Sequence, residues 1–311
     1  MSKPLVTVII PCFNRASIIA PAIKSVQAQT LKNWELVVVD DGSSDNIREV
    51  IEGFSSTDPR IRLVCHSQNR GEPTARNTGI SVARARFIAF LDSDDEWLPK
   101  KLDHQVNAVL AMPEPDNVFC VTQTVVKLSD TYQVIRPLHP PAPGRSFAEF
   151  LYNDGGFAQS SSFFLSTELA KRFPFRADLK NMVDHLFFME VCGSGAVYVL
   201  VQTPLTIWHN ETRPDRVSMS DNLDTRRTTV ERFFESAGQL LPSHTRLACE
   251  ARFLSGILWH TSPVESLKLL LRARRRHALT TRQITMLFCR NAMPPTLYNA
   301  IRHWLPSPPS A

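Results

Sequence analysis

The chain has 311 residues, of which 43% are hydrophobic and 21% charged, with 35 Lys and Arg against 30 Asp and Glu. This is the composition of a globular protein with room for one large or two smaller domains and a substantial core, and it excludes low-complexity and fibrous classes. The formal net charge of +5 is uneven: acids and bases alternate over the first 110 residues, and the last 45 are basic. The six cysteines (12, 65, 120, 192, 249 and 289) form no CxxC pair, so reduced thiols in a cytosolic compartment are expected rather than a disulfide frame or a zinc site. "MSKPLVTVII" lacks the pattern of a signal peptide. The longest charge-free stretch, 191–210, is interrupted by Gly193, Gly195 and Pro204, and no membrane-spanning helix is expected.

In chain order, strand and helix patterns alternate. "LVTVII" (5–10) is a β-branched apolar run, and 16–29 carries apolar residues at helical spacing. "WELVVVDD" is a second strand, and "SSDNIREVIEGF" a helix with Ser44 or Asp45 as N-cap. "IRLVCH" is a third strand, "PTARNTGISVARA" a helix, "RFIAFLD" a fourth strand and "PKKLDHQVNAVLAM" a helix. Continuous apolar strands alternating with amphipathic helices predict a mainly parallel sheet covered on both faces, with ligands bound outside the carboxyl ends of the strands. The middle of the chain reads as a strand ("NVFCVTQTVVK"), a proline-rich loop ("RPLHPPAPGRS"), and a small-residue loop running into a strand ("GGFAQSSSFFLS"). A helix ("MVDHLFFMEVCG") and two short strands ("AVYVLV" and "LTIWH") follow. From about 221 the pattern is helical.

Three polar clusters fall at the predicted carboxyl edge: Pro11 to Arg15, Asp40 to Ser43, and Asp92 to Glu96. The last places four acids in five positions. Mutual repulsion makes that arrangement unfavourable unless a cation sits there. An Asp-x-Asp pair such as Asp92 and Asp94 suits a hard divalent ion, and magnesium commonly takes one or two carboxylates plus substrate phosphates.

With these residues in view, the chain resembles the inverting family 2 glycosyltransferases of the GT-A fold. The resemblance rests on "VTVIIPCFNR", "AIKSVQAQTLKNWELVVVDDGSSD" and "NRGEPTARNTGISVARARFIAFLDSDDEWLPKKL", and more loosely on "VDHLFFMEVCGSG". It implies a GT-A domain over 1–220, with a nucleotide-binding half (1–110) and an acceptor half (111–220), followed by a helical extension (221–311). It further implies that Pro11, Phe13 and Asn14 line the nucleotide pocket. Asp41, with Asp40, contacts the base, and Arg76 lies near the nucleotide. On the same resemblance, Asp92 and Ser93 are expected to bind the donor and Asp94 and Asp92 to hold magnesium or manganese, with Asp95 supporting them. The resemblance also implies that the general base is Asp184, in a Glu-Asp position where Val183 replaces the glutamate, with His185 as substitute. The reaction implied is transfer from a nucleotide-diphosphate sugar, UDP-linked by preference, to a hydroxyl of a carbohydrate or lipid-linked acceptor in bacterial surface or exopolysaccharide synthesis.

Each residue also has a structural reading. Asp184 could cap a helix, Arg76 could form a surface ion pair, and Trp97 and Cys12 could be packing residues. His209 reads equally as a diphosphate contact or a structural histidine, 213–218 as a donor-closing or ordinary surface loop, and Gln159 with Ser160–Ser162 as acceptor lining. Segment 267–282 carries six Lys/Arg among leucines. It reads as a basic amphipathic helix, either lying on the cytoplasmic face of an anionic membrane or packed on the catalytic domain. Nucleic acid is not an expected partner. The rival readings are a catalytically degenerate binding relative and a magnesium-dependent nucleotidyl- or phosphotransferase. The latter would want a glycine-rich phosphate loop, which "PCFNRAS" does not supply.

Overall fold

The computed structural model describes residues 3–129, 132–210, 223–294 and 298. The chain divides into two compact units, one of residues 1–147 and 156–219 and one of 148–155 and 220–311.

The first unit is built on a nine-stranded sheet. Strands β1 (Val6–Cys12), β2 (Trp34–Asp40), β3 (Ile61–Cys65) and β4 (Phe87–Phe90) alternate with helices α1 (Ala20–Gln27), α2 (Ile47–Ser55) and α3 (Glu72–Val82). Then come the short β5 (Glu96–Trp97), α4 (Lys101–Leu110), β6 (Val118–Ser129) and β7 (Tyr132–Arg136). After α5 (Phe147–Tyr152), whose residues from 148 onward belong to the second unit, come β8 (Phe163–Ser166), α6 (Thr167–Arg172), α7 (Val183–Gly193) and β9 (Val197–His209). The order across the sheet is β3-β2-β1-β4-β8-β6-β9-β5, with β7 beside β6. The strands from β3 to β4 are parallel, β8 runs antiparallel to both β4 and β6, and β6 and β9 are again parallel.

Burial on both faces explains the continuous apolar strands: every residue of β1, β2 and β4 is buried. Val6, Val8 and Ile10 of β1 pack in one cluster with Ile23 and Val26 of α1, Ile51 of α2 and Leu102 of α4. On the other face lie stacked rings, among them Phe175 on Phe187 with centroids 4.1 Å apart and Phe119 edge-on to Phe163. Helix α3 comes so close to β1 that a Cβ on Gly79 would sit 2.4 Å from the Ile9 side chain.

"AVYVLV" and "LTIWH" are one strand, not two. β9 runs through Pro204, which lies opposite Gln123 where the ladder with β6 shifts register. A proline cannot donate a ladder hydrogen bond, and an irregularity of this kind accommodates it without breaking the strand.

Gly42, directly after the Asp40-Asp41 pair, has φ +75°, and a Cβ there would lie 2.5 Å from the Gln68 carbonyl carbon. Alanine incurs the left-handed penalty of about 1–2 kcal/mol per residue plus a backbone overlap. Gly42→Ala is therefore expected to lower unfolding free energy by about 2 kcal/mol or more, read from the urea midpoint at unchanged m value.

The second unit is helical: α8 (Leu223–Ala237), α9 (Ser243–Thr261), α10 (Pro263–Arg275) and α11 (Thr281–Ala292). The basic segment 267–282 is not one helix. The chain turns at His277 (φ +53°), where Ala278 donates its N–H back to the Ala273 carbonyl. Thr280 then opens α11 with a capping box to Gln283. Two orphan backbone donors satisfied reciprocally favour a fresh helix start over continuation.

Candidate active site

Because β8 runs antiparallel to β4, the residues that precede β8 arrive at the carboxyl end of β4. That topology brings Gln159–Ser162 onto Asp92–Asp95. Asp92 accepts hydrogen bonds from Ser160 Oγ at 3.1 Å on both carboxylate oxygens and from Gln159 Nε2 at 3.3 Å, while its own N–H donates to Ser161 Oγ. Asp95 is fully buried and accepts from Gln159 Nε2 and Ser161 Oγ, each at 2.6 Å, and from the His209 N–H at 3.2 Å. Burial, and then the charges of Asp92 and Asp94, push its carboxyl well above the usual range, while the Ser161 and His209 donors oppose the shift. Ser93, between Asp92 and Asp94 in the chain, is buried. The serines read as acceptor lining thus underpin the acidic strand end.

Arg76 is the centre of the site. It stands one turn into α3, 3% exposed, and is no surface pair. Its Nη1 donates to Asp184 Oδ1 at 2.8 Å, and its Nη2 to Asp92 Oδ1 and Ser160 Oγ, both at 2.8 Å. Glu72, four residues back on the same helix, pairs with the same guanidinium. Burial alone would pull this guanidinium down; Glu72, Asp184 and Asp92 reverse the effect and hold it above its ordinary value. Asp184, in the first turn of α7, accepts the Ser160 N–H on its second oxygen at 3.0 Å. One fork therefore joins residues 108 positions apart. A planar guanidinium with several fixed donors suits this task better than an ammonium would.

Glu72, Asp92 and Asp184 crowd around this one cation, and Asp94 adds its charge to that felt by Glu72 and Asp92. Asp92 is pushed up by burial and by Asp184 and Asp94, against the pull of Arg76. Glu72 is also raised: burial is the largest cause, Arg76 opposes it, and Asp92, Asp184 and Asp94 add to it. Its side chain keeps 47% of its surface open, so crowding by like charge is a firmer cause of the rise than burial. Asp94, half-buried, accepts no hydrogen bond and makes no ion pair among the described residues. No three His, Cys, Asp or Glu side chains among the described residues converge as a metal-ligand set.

The strand ends of β1 and β2 form the neighbouring wall. Phe13 is 43% exposed, and its ring is free to pack on a ligand. Asn14 adopts φ +53° and accepts the Ser44 N–H, while its own N–H donates to Ser43 Oγ. Pro11 and Cys12 are buried in β1; burial, and then Asp40, push the Cys12 thiol up, which leaves it a small buried hydrophobe. The two aspartates at the end of β2 differ. Asp41 accepts from His66 Nδ1 at 2.6 Å and from the Arg70 and Gly71 N–H groups on its two oxygens. Four contacts fill the roughly four lone-pair positions of a carboxylate. The Asp40 carboxylate accepts only the Ser43 N–H among the described residues.

The remaining candidates separate cleanly. Trp97 is 3% exposed, donates to the Ser161 carbonyl at 2.8 Å and carries the buried Lys101 Nζ 3.8 Å over its ring. His209 Nε2 lies 2.9 Å from Glu96 Oε1. His185 is lowered by burial, which Asp184 opposes. Val183 is buried, and residues 213–218 lie outside the described residues.

Sequence reading missed Glu72, the His66–Asp41 contact and Asn77, which clamps the Phe175 backbone through both its amide atoms at 2.8 Å. The spacing Glu72-x-x-x-Arg76 is a helical i,i+4 pair and was a usable signal.

A sequence model described as Glycosyl transferase family 2 matches residues 7–172, more than half of the chain. The chain belongs to glycosyltransferase family 2. Among its relatives is an Escherichia coli protein named UDP-Glc:alpha-D-GlcNAc-diphosphoundecaprenol beta-1,3-glucosyltransferase WfgD, 46% identical over 35% of this chain and 43% of that protein. The amylovoran biosynthesis glycosyltransferase AmsB of Erwinia amylovora is 28% identical over 67% of this chain and 70% of its own. The matched stretch spans 43% of the Escherichia coli relative and 54% of a Bacillus subtilis protein named Putative teichuronic acid biosynthesis glycosyltransferase TuaG. A crystal structure of S. aureus TarS 1-349 in complex with UDP-GlcNAc superposes with TM-score 0.62 over 96% of this chain and 90% of that one, at 16% identity. This establishes the GT-A fold, a mixed and largely parallel sheet with helices around it and a helical C-terminal region, as expected from the sequence. No helix among the described residues is long and apolar enough to cross a membrane.

Proposed function

We propose that this family 2 glycosyltransferase moves a sugar, with inversion, from a nucleotide-diphosphate donor to a hydroxyl of a carbohydrate or lipid-linked acceptor. The setting proposed is bacterial surface-polysaccharide synthesis at the cytoplasmic face of a membrane. The observation that carries the reading is the Arg76 fork, which holds Asp92 at the end of β4 and Asp184 at the start of α7 on either side of one guanidinium. A donor-binding carboxylate and a candidate base are thereby fixed relative to each other. The names of the Escherichia coli relative and of the TarS complex support a UDP-sugar and, for the former, a diphospholipid-linked acceptor.

In the proposed reaction the acceptor oxygen forms a bond to the anomeric carbon as the bond from that carbon to the diphosphate breaks on the opposite face. The diphosphate leaves with the bonding pair, and the hydroxyl proton passes to Asp184. Arg76 and Ser160 take one lone-pair position on each Asp184 oxygen, which leaves acceptor capacity for that proton. Phe13 packs the base, and Asp40, whose carboxylate has acceptor capacity to spare, accepts its N–H, the role expected of Asp41 with Asp40.

The donor set fits a divalent cation: carboxylates outnumber the single guanidinium, and Asp94 is uncommitted among the described residues. Asp92 is already engaged by Arg76, Ser160 and Gln159, so the ligand role narrows to Asp94 with diphosphate oxygens. A magnesium or manganese ion held there supplies countercharge for the departing diphosphate.

The test is thermal stability of the full chain with UDP and UDP-sugars, with and without manganese. A ligand at a hundredfold excess over Kd adds about 2.7 kcal/mol. A manganese-dependent rise that Asp94→Ala abolishes is expected. A rise with no metal dependence would remove Asp94 from the reading, and no rise with any nucleotide sugar would overturn it.

A further inference from the structure

The second unit presents a face that its own packing leaves unused. Helix α10 buries Ser266, Leu270 and Ala273 at 0–1% exposure. These residues lie on one side at helical spacing. The opposite side carries Val264, Leu267 and Leu271, at positions i, i+3 and i+7, exposed by 62%, 38% and 53%. At 100° per residue these three form one stripe. Arg274 borders it on one side. Lys268 and Arg275 border it on the other, with Arg272 beyond them, and all four cations are exposed. Lys268 pairs with Glu265. Arg272, Arg275 and Arg276 have no carboxylate partner among the described residues.

Three exposed apolar side chains in a row, edged on both flanks by cations, are unfavourable in water alone. A protein partner could satisfy the apolar stripe, but the excess of cations on both edges calls for a surface that is negative on both sides of an apolar layer. An anionic phospholipid bilayer meets that demand: leucines enter the acyl boundary while Lys and Arg stay with the headgroups. We propose that α10 docks the chain on an anionic membrane surface through Val264, Leu267 and Leu271, with Lys268, Arg272, Arg274 and Arg275 on the lipid phosphates. The turn at His277 confines this face to α10. The inference does not rest on the catalytic reading, so vesicle binding and sugar transfer fail separately.

The experiment is co-sedimentation of the full chain with phosphatidylcholine vesicles, with and without phosphatidylglycerol. Binding only to the anionic vesicles, weakened by salt, is expected. Arg272→Gln/Arg275→Gln should lower the partition coefficient about 30-fold, from about fivefold per cation near such a surface. Leu267→Ser/Leu271→Ser should lower it about tenfold or more. Both pairs are exposed, so the variants should keep the wild-type melting temperature, and that measurement separates lost binding from misfolding. A wild-type chain that stays in the supernatant at low salt overturns the proposal. So does a leucine variant that binds as well as wild type. Loss of a concentration-dependent dimer in the leucine variant, without vesicle binding by wild type, would assign the face to a second copy instead.

Discussion

Arg76→Met is expected to destabilise the fold by about 3–5 kcal/mol, the usual cost of removing one partner from a buried ion pair. Methionine fills much of the volume but leaves Asp92, Asp184 and Glu72 facing one another without the cation they share. The urea midpoint should fall with the m value unchanged. The deficit has a definite pH dependence. Asp92 and Glu72 are already raised above ordinary carboxylates, and losing Arg76 removes the influence that opposes that shift. A carboxyl raised in the folded state contributes stability that is full below its unfolded value, about pH 4, and lost as pH rises through its folded value. The variant should therefore approach wild type in acid and diverge from it toward neutrality. A constant deficit from pH 4 to 8 would mean that Arg76 acts by packing over Phe175 rather than by charge. Arg76→Lys separates the two roles. It restores charge, so the acid-to-neutral divergence should shrink. One ammonium cannot reproduce two donors fixed toward Asp92 and Asp184, so turnover should stay low.

The contrast between what was and was not legible in the sequence follows the range of the interactions. The first four strands and their helices were readable because both faces of the sheet are covered, which forces apolar runs with polar strand ends. The acidic end of β4 was readable as a site because unsupported like charge is anomalous there. What Gln159–Ser162 do was not readable, because it depends on β8 inserting antiparallel beside β4. A short apolar run such as "FFLS" carries no mark of its direction. The Arg76–Asp184 contact was hidden for the same reason: nothing local tells a helix which carboxylate, 108 residues away, its arginine will meet. Asp40 and Asp41 look interchangeable in "VVDDG". Only the approach of His66 and the Arg70 and Gly71 amides separates a carboxylate that holds the backbone from one with capacity to spare.

Asp184→Asn carries the largest expected effect on turnover, about 10²–10⁴-fold, the usual contribution of a general base. Asparagine keeps the shape and an acceptor oxygen but cannot take the acceptor proton. Its amide also sets an NH₂ against a donor, either Arg76 Nη1 or the Ser160 N–H, since both donate to this side chain. Some loss of stability is therefore expected alongside the kinetic effect, and melting temperature must be followed in the same samples. Two readouts isolate the base. Donor affinity should hold, because Asp92, Asp94 and the β1–β2 wall are untouched; the loss should sit in kcat. The acid limb of the kcat/KM profile, where a base loses activity on protonation, should flatten in the variant. If donor affinity falls in step with kcat, Asp184 acts by holding Arg76 in place rather than by taking the proton. If turnover is unchanged, the base lies elsewhere. His185, the adjacent residue whose imidazole burial holds below its ordinary value, then becomes the group to replace: a neutral imidazole can also accept a proton, and His185→Gln would be expected to show the same kcat loss with donor affinity intact.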